Sequence, residues 1–217
     1  MLVRELMTRQ PVTVASDASV PDALRLMREK QVRRLPVLDR HGALVGIVSD
    51  KDLLLASPSP ATSLAVWEIT ELLSKLKVEK VMTRRVITVH EETPLEEAAR
   101  IMADNKIGGL PVMRDDKLVG IITETDLFKS LLTLLGGRRP GIRVTVSLPT
   151  AKGTLAKITN AIFNAGGDIW GLGLGEVQGP NGDQWELMFK VQDVPKDKLV
   201  EALRPVVNEI LDVREIA

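Results

Sequence analysis

The chain has 217 residues, with 29 Lys and Arg against 29 Asp and Glu and a formal net charge of zero. That balance offers nothing to draw the whole molecule onto nucleic acid or an anionic membrane, and with three Phe, three Trp and no Tyr a base-stacking RNA surface is not expected. Cysteine is absent, which removes disulfides, thiolate catalysis and Cys-based zinc sites; no signal peptide opens the sequence and no apolar run reaches the ~18 residues of a membrane span, so a cytoplasmic protein is expected.

In chain order, a short strand is predicted at 12–14. A helix follows, started by the capping pattern Ser19-x-x-Asp22, with Val20, Ala23, Leu24 and Met27 on its core face. Two apolar runs around the turn Asp39-Arg40-His41-Gly42 predict a hairpin, whose second strand ends Gly46-Ile47-Val48-Ser49 before a helix carrying Asp52. A break, Ser57-Pro58-Ser59-Pro60, precedes a helix expected over 62–76, with Leu64, Leu72, Leu73 and Leu76 broadly on one face. The pattern then repeats. A shift of 75 residues lays Met7-Thr8-Arg9 on Met82-Thr83-Arg84, Val12-Thr13-Val14 on Ile87-Thr88-Val89, and Leu35-Pro36-Val37 on Leu110-Pro111-Val112. One residue is lost in the turn, after which Leu44-Val45-Gly46-Ile47 matches Leu118-Val119-Gly120-Ile121. Self-similarity at a fixed period marks duplicated structural units: residues 3–56 and 78–130 are two copies of a strand-helix-strand-strand-helix unit. In the second copy Thr93-Pro94-x-Glu96 predicts the capping box, and Leu95, Ala98, Ala99 and Met102 the core face.

Residues 136–141 are expected to form a flexible basic linker. Beyond it the pattern predicts strands at 142–148, 168–176, 184–192 and 211–215, with helices at 155–165 and 196–207. That βαββαβ order is ferredoxin-like, and the fold class of the whole chain is α+β. Gly171-Leu172-Gly173-Leu174-Gly175 lacks the strand-before, helix-after context of a dinucleotide loop. It predicts a strand with one small face, suited to close packing of another strand or subunit.

The chemistry concentrates in Ser49-x-x-Asp52 and Thr123-x-x-Asp126. Taken singly, each is a helix cap. A carboxylate in that place can equally accept two hydrogen bonds from a cis-diol, beside a hydroxyl suited to phosphate. The copies differ just before Leu-Pro-Val: Arg33-Arg34 in the first, Gly108-Gly109 in the second. Guanidinium groups clamp phosphate and glycines admit close approach. Two non-equivalent sites are therefore expected, the one built mainly on the first copy favouring more highly phosphorylated ligands; solvated surface arginines are the alternative. His41 and His90 are isolated and expected at the surface, so no metal site and no catalytic residues are predicted.

The doubled unit closely resembles a pair of cystathionine-β-synthase-type (CBS) domains, carried by Met7-Thr8, Leu35-Pro36-Val37, Gly46 to Asp52, and their counterparts up to Gly120 to Asp126. That resemblance implies adenine nucleotide (AMP, ADP or ATP) in clefts between the repeats. Asp52 and Asp126 would hold ribose, Ser49 and Thr123 would lie near phosphate, and the segments around Thr13, Val14, Arg33, Arg34 and Pro36, with Thr88, Val89, Gly108, Gly109 and Pro111, would frame the base. The last 76 residues resemble an ACT domain through their element order and Pro149-Thr150-Ala151-Lys152-Gly153-Thr154-Leu155, which implies a ligand loop at Thr150, Gly153 and Leu155. A CBS pair followed by an ACT-like domain is similar to the acetoin-utilisation AcuB-type proteins. This implies a non-enzymatic regulatory homodimer acting on a target enzyme, linked to acetoin or acetyl-CoA metabolism. A ligand-free interaction scaffold and an amino-acid sensor are the alternatives.

Overall fold

The computed structural model describes residues 1–56, 75–149, 151–179 and 182–217, and the chain divides into one unit at 1–127 and another at 128–217. The helix expected over 62–76 falls, but for its last two residues, outside the described residues, as does Thr150.

The first unit opens with α1 (Val3–Leu6) and β1 (Thr8–Arg9). Repeat one continues as β2 (Val14–Ala15), α2 (Val20–Glu29), β3 (Arg34–Leu38), β4 (Leu44–Ser49) and α3 (Asp50–Leu55). Repeat two is β5 (Val89–His90), α4 (Leu95–Asn105), β6 (Gly109–Arg114), β7 (Lys117–Thr123) and α5 (Glu124–Leu134). In both, the first strand pairs in parallel with the Leu-Pro-Val strand, Val14 opposite Val37 and Val89 opposite Val112. These strands start two residues later than expected.

α2 starts on its predicted cap: Ser19 Oγ accepts from the Asp22 amide at 3.2 Å and donates to Asp22 Oδ2 at 2.6 Å. The capping box expected at Thr93 does not form, since the α4 N-cap position has no side-chain bond. The reason is local competition. The Leu95 amide, an orphan donor of the first turn, is satisfied at 3.1 Å by the Met1 carbonyl, while the Thr93 carbonyl accepts from the Val3 amide at 3.0 Å. The hairpin turns also differ. In repeat one, Asp39 Oδ1 accepts from the His41 and Ala43 amides at 2.8 and 2.9 Å, and Gly42 takes φ +82°. In repeat two, Asp115 and Asp116 both take positive φ, 45° and 62°, as a two-residue type I′ turn demands. The end of that hairpin is held by the Arg114 fork on Glu91, whose side chain is 8 % exposed. Hydrogen bonding from the guanidinium holds the Glu91 carboxyl below its ordinary value.

The repeats seen in the sequence are not the units that pack. β1, from the start of repeat one, pairs with β7 of repeat two, Thr8 opposite Ile121 and Arg9 opposite Gly120. Reciprocally, Thr83 from the start of repeat two bridges Ile47 of β4, through amide-to-carbonyl bonds of 2.9 and 3.0 Å. The cores follow the same exchange. Val78 and Met82 are buried among Val14, Met27, Leu35 and Val48 of repeat one. Val3 and Met7 are buried among Val89, Met102, Leu110 and Ile122 of repeat two. This explains the glycine in each Gly-h-h strand. A Cβ on Gly120 would meet Met7 Sδ at 2.5 Å, and one on Gly46 would collide with Met82 Sδ. A strand glycine of this kind marks a close approach, here by the methionine of the opposite repeat.

The second unit comprises β8 (Gly141–Leu148), α6 (Thr154–Asn164), β9 (Asp168–Gly179), β10 (Gly182–Gln192), α7 (Lys196–Leu203) and β11 (Glu209–Ile216). The sheet order is β11-β8-β10-β9, antiparallel throughout, the ferredoxin-like arrangement. Its core sets Ile158, Ile162, Leu199 and Leu203 against Val144, Val146, Leu187, Phe189 and Val191. α7 ends at Leu203 rather than 207: Arg204 keeps helical φ and ψ and its amide still donates to the Val200 carbonyl, but Pro205 has no N–H to carry the ladder further.

The segment expected to be a free linker is bound to this sheet. Buried Lys190 donates from Nζ to the Gly136 and Arg139 carbonyls at 3.0 and 2.5 Å, and the Arg139 guanidinium stacks 3.8 Å from the Trp170 ring centroid. The break between the units falls earlier, after Leu127 and inside α5. The small face of β9 is covered by the chain's own α5 terminus: a Cβ on Gly171 would overlap the Leu135 backbone, and one on Gly173 would come within 3.0 Å of the Leu135 side chain. Gly175 is open.

Candidate functional site

The exchange of leading segments builds two clefts in the first unit, each drawing on both repeats. β3 and β4 form an antiparallel hairpin that sets Arg34 opposite Ser49; β6 and β7 set Gly109 opposite Thr123. Each hairpin thus delivers a hydroxyl and, one turn into the next helix, an aspartate. The exchanged strand of the other repeat closes the cleft.

The first cleft, of about 320 Å³, takes Thr123 and Asp126 from repeat two and Gln10 to Val12 and Gln31 to Arg34 from repeat one. The second, of about 450 Å³, takes Ser49 and Asp52 from repeat one and Arg85 to Ile87, Lys106, Gly109 and Pro111 from repeat two, with Arg34 again in its wall. Arg33 belongs to the first cleft only, so the arginine pair does not travel with Ser49 and Asp52 as a single-repeat site would require. Each site is composite.

At Asp52 the capping box is complete, and at Asp126 the carboxylate half of it is present. Asp52 Oδ2 accepts from the Ser49 amide at 2.9 Å and its hydroxyl at 2.7 Å, and the Asp52 amide donates back to Ser49 Oγ at 3.3 Å. Asp126 Oδ2 accepts from the Thr123 amide at 2.9 Å and hydroxyl at 2.7 Å. One carboxylate oxygen does this work, and Oδ1 of each aspartate has no hydrogen-bond partner among the described residues. The cap and the ligand role are therefore compatible: Oδ2 fixes the side chain, and Oδ1 is left to accept a hydroxyl.

The remaining expected site residues divide. Val14 and Val89 face the cores, 7 % and 6 % exposed, and with Thr13, Thr88 and Pro36 they line neither cleft. Pro11 and Val12, and Val86 and Ile87, up to three residues upstream, line the clefts instead. The shift follows from the parallel pairing of Val14 and Val89, which turns those side chains inward. Gly108 supports Arg34 rather than lining a cleft: a Cβ there would collide with the guanidinium and lie 2.6 Å from Glu124 Oε2. Sequence reasoning missed Lys51, Arg85 and Lys106, which give the second cleft its positive charge; an exposed cation carries no signal until the fold places it. The duplicated Met-Thr-Arg segments and the glycine in each apolar strand were the available clues to the exchange.

In the second unit, Gly153 takes φ +82° as the N-cap position of α6, and Leu155 is 39 % exposed. His41 and His90 are exposed. Among the described residues, no His, Cys, Asp and Glu cluster could hold a metal, and no helix is long and apolar enough to cross a membrane.

A doubled βαββα unit with composite clefts at the inter-repeat boundary is the arrangement of a CBS pair. The CBS domain family model matches residues 3–59 and 78–133, and the chain belongs to that family. Among solved structures it is similar to a CBS domain pair in complex with 5′-methylthioadenosine and S-adenosyl-L-methionine, at 31 % identity and TM-score 0.51, covering 64 % of this chain and 98 % of that one. CBSX2 in complex with AMP is 36 % identical at TM-score 0.50, covering 60 % and 96 %. A Vibrio cholerae protein described as an acetoin utilization protein (AcuB) is 35 % identical at TM-score 0.52, covering 64 % and 95 %. The family match ends within α5, and the ferredoxin-like unit lies beyond it.

Proposed function

We propose that the chain is a non-enzymatic regulatory protein that binds an adenine nucleotide, AMP, ADP or ATP, in the two inter-repeat clefts. One observation carries this: each cleft presents an aspartate already oriented by its cap, with Oδ1 unpartnered, opposite an exchanged strand from the other repeat and beside cationic side chains. Volumes near 320 and 450 Å³ lie in the range of small-molecule sites, roughly 300–1,000 Å³. Ribose hydroxyls would donate to Asp52 and Asp126, phosphates would meet Ser49 or Thr123 and the nearby cations, and the base would lie against Pro11 and Val12 or Val86 and Ile87. The relatives that hold AMP or S-adenosyl-L-methionine support the ligand class. Cationic Lys51, Arg85 and Lys106 beside Arg34 make the Asp52 cleft the one for the more phosphorylated ligand.

The ferredoxin-like unit is taken as an ACT-like module for assembly as a homodimer or for amino-acid sensing at Gly153 and Leu155. A role in acetoin or acetyl-CoA metabolism rests on the likeness to the AcuB protein. Thermal melts with AMP, ADP and ATP test the central reading. Saturation at 100 times Kd adds about 2.7 kcal/mol, roughly 5–10 °C for a chain of this size. The shift should shrink in Asp52→Ala and in Asp126→Ala and vanish in the double variant. No shift with any of the three leaves the aspartates as caps alone and the protein as an interaction scaffold.

A further inference from the structure

The residues before the two Leu-Pro-Val strands, unlike in sequence, meet each other in space. Arg34 lies along Gly108 and Gly109: its Cδ would stand 3.2 Å from a Cβ on Gly109, its own counterpart in the other repeat, and its Cζ 3.0 Å from one on Gly108. The glycines leave room for one arginine side chain where the two repeats meet. That arginine is a wall of both clefts. Among the described residues it has no hydrogen bond or ion pair, and the carboxylate of Glu124 lies beside the same glycine.

We infer that Arg34 is a single phosphate-binding group shared by the two clefts, so that a phosphorylated ligand in one weakens the binding of a phosphorylated ligand in the other. The inference rests on the nucleotide reading above. A guanidinium engages one phosphate through paired, co-planar hydrogen bonds, and geometry allows it to face one cleft at a time. The first cleft retains Arg33 when Arg34 turns away; the second retains Lys51, Arg85 and Lys106. Both clefts can therefore fill, but the second to fill does so without the shared cation. Coupling of this kind is reciprocal whichever cleft fills first. It acts through charge, so an uncharged nucleoside should not produce it.

Calorimetric titration of the full chain with AMP and with adenosine tests this. Asp52→Ala isolates the Asp126 cleft and Asp126→Ala isolates the Asp52 cleft, and the two single-cleft affinities define the wild-type isotherm expected for independent sites. The second AMP should bind wild type about fivefold or more weakly than that expectation, within the usual span of site-to-site coupling. Adenosine should follow it, and Arg34→Gln should restore independence for AMP. A wild-type AMP isotherm equal to the independent sum, or a deficit that persists in Arg34→Gln, overturns the shared-arginine inference while leaving nucleotide binding intact. Absence of binding by adenosine, AMP, ADP and ATP in every form overturns the nucleotide reading itself.

Discussion

The two repeats reach one frame by different local means. In repeat one, α2 is capped by its own Ser19 and the hairpin turn is tied by Asp39. In repeat two, α4 is capped by the Met1 carbonyl, the turn is a two-residue type I′ turn, and the hairpin end is held by the Arg114 and Glu91 pair. Beyond the common strand pairing and helix core faces, what the repeats share lies at the exchange and the clefts: the Met-Thr segment, the strand glycine it presses on, Leu-Pro-Val, and the hydroxyl with its aspartate. Caps and turns are interchangeable solutions to satisfying backbone groups. The Met-on-Gly contact is not, because each partner sits in the other repeat.

The comparison can be broken most severely at that contact. Met7→Ala and Met82→Ala each empty a core position and should cost about 2–5 kcal/mol in urea unfolding of the full chain. Gly120→Ala and Gly46→Ala should cost about 1–3 kcal/mol by overpacking. Pairing is the sharper outcome: Met7→Ala should relieve Gly120→Ala and not Gly46→Ala, and Met82→Ala should do the reverse. Relief within a single repeat would contradict the exchange.

A smaller difference separates the caps. Ser19→Ala should lose about 1 kcal/mol, whereas Thr93→Ala should stay within a few tenths, since no helix amide depends on the Thr93 side chain. Comparable losses at both positions would argue that Thr93 caps α4 in solution.

The smallest effect is pH-dependent and confined to repeat two. Glu91 has a carboxyl held below its ordinary value of 4.5, chiefly by hydrogen bonding from Arg114. A depressed carboxyl contributes stability that is present above the unfolded value and lost as pH falls through the folded one. Glu91→Gln should therefore melt below wild type at pH 7, and the gap should close as pH drops below about 4.5. A gap unchanged down to pH 3 would exclude a contribution from the ionised pair.

Much of this was legible in the sequence, for reasons particular residues make plain. The βαββαβ order of the second unit follows from apolar periodicity and turn residues, which act over neighbouring positions. Asp52 and Asp126 stood out because the same local pattern occurred twice. The exchange did not, because pairing Thr8 with Ile121 is a decision between distant segments that leaves no local trace beyond the duplicated Met-Thr-Arg segments and a strand glycine. That Pro11, Val12, Val86 and Ile87 line the clefts was hidden for the same reason: the parallel pairing that buries Val14 and Val89 sets which residues are left to the cleft. The supposed linker at 136–141 reads as flexible from Gly136, Gly137 and Gly141, yet Lys190, over fifty positions later in the chain, holds it.

The reciprocal exchange also sets a timetable for the chain as it is made. Repeat one lacks two of its core side chains until Val78 and Met82 leave the ribosome, and Val3 and Met7 have no pocket until Leu110, Val112 and Ile122 have followed. At synthesis rates of about 5–20 residues per second, the amino-terminal segment waits on the order of ten seconds before its strand partners, Gly120 and Ile121, exist. Repeat one can complete its core once residue 82 is out, whereas the amino-terminal segment stays without partners until the last strands of repeat two are made.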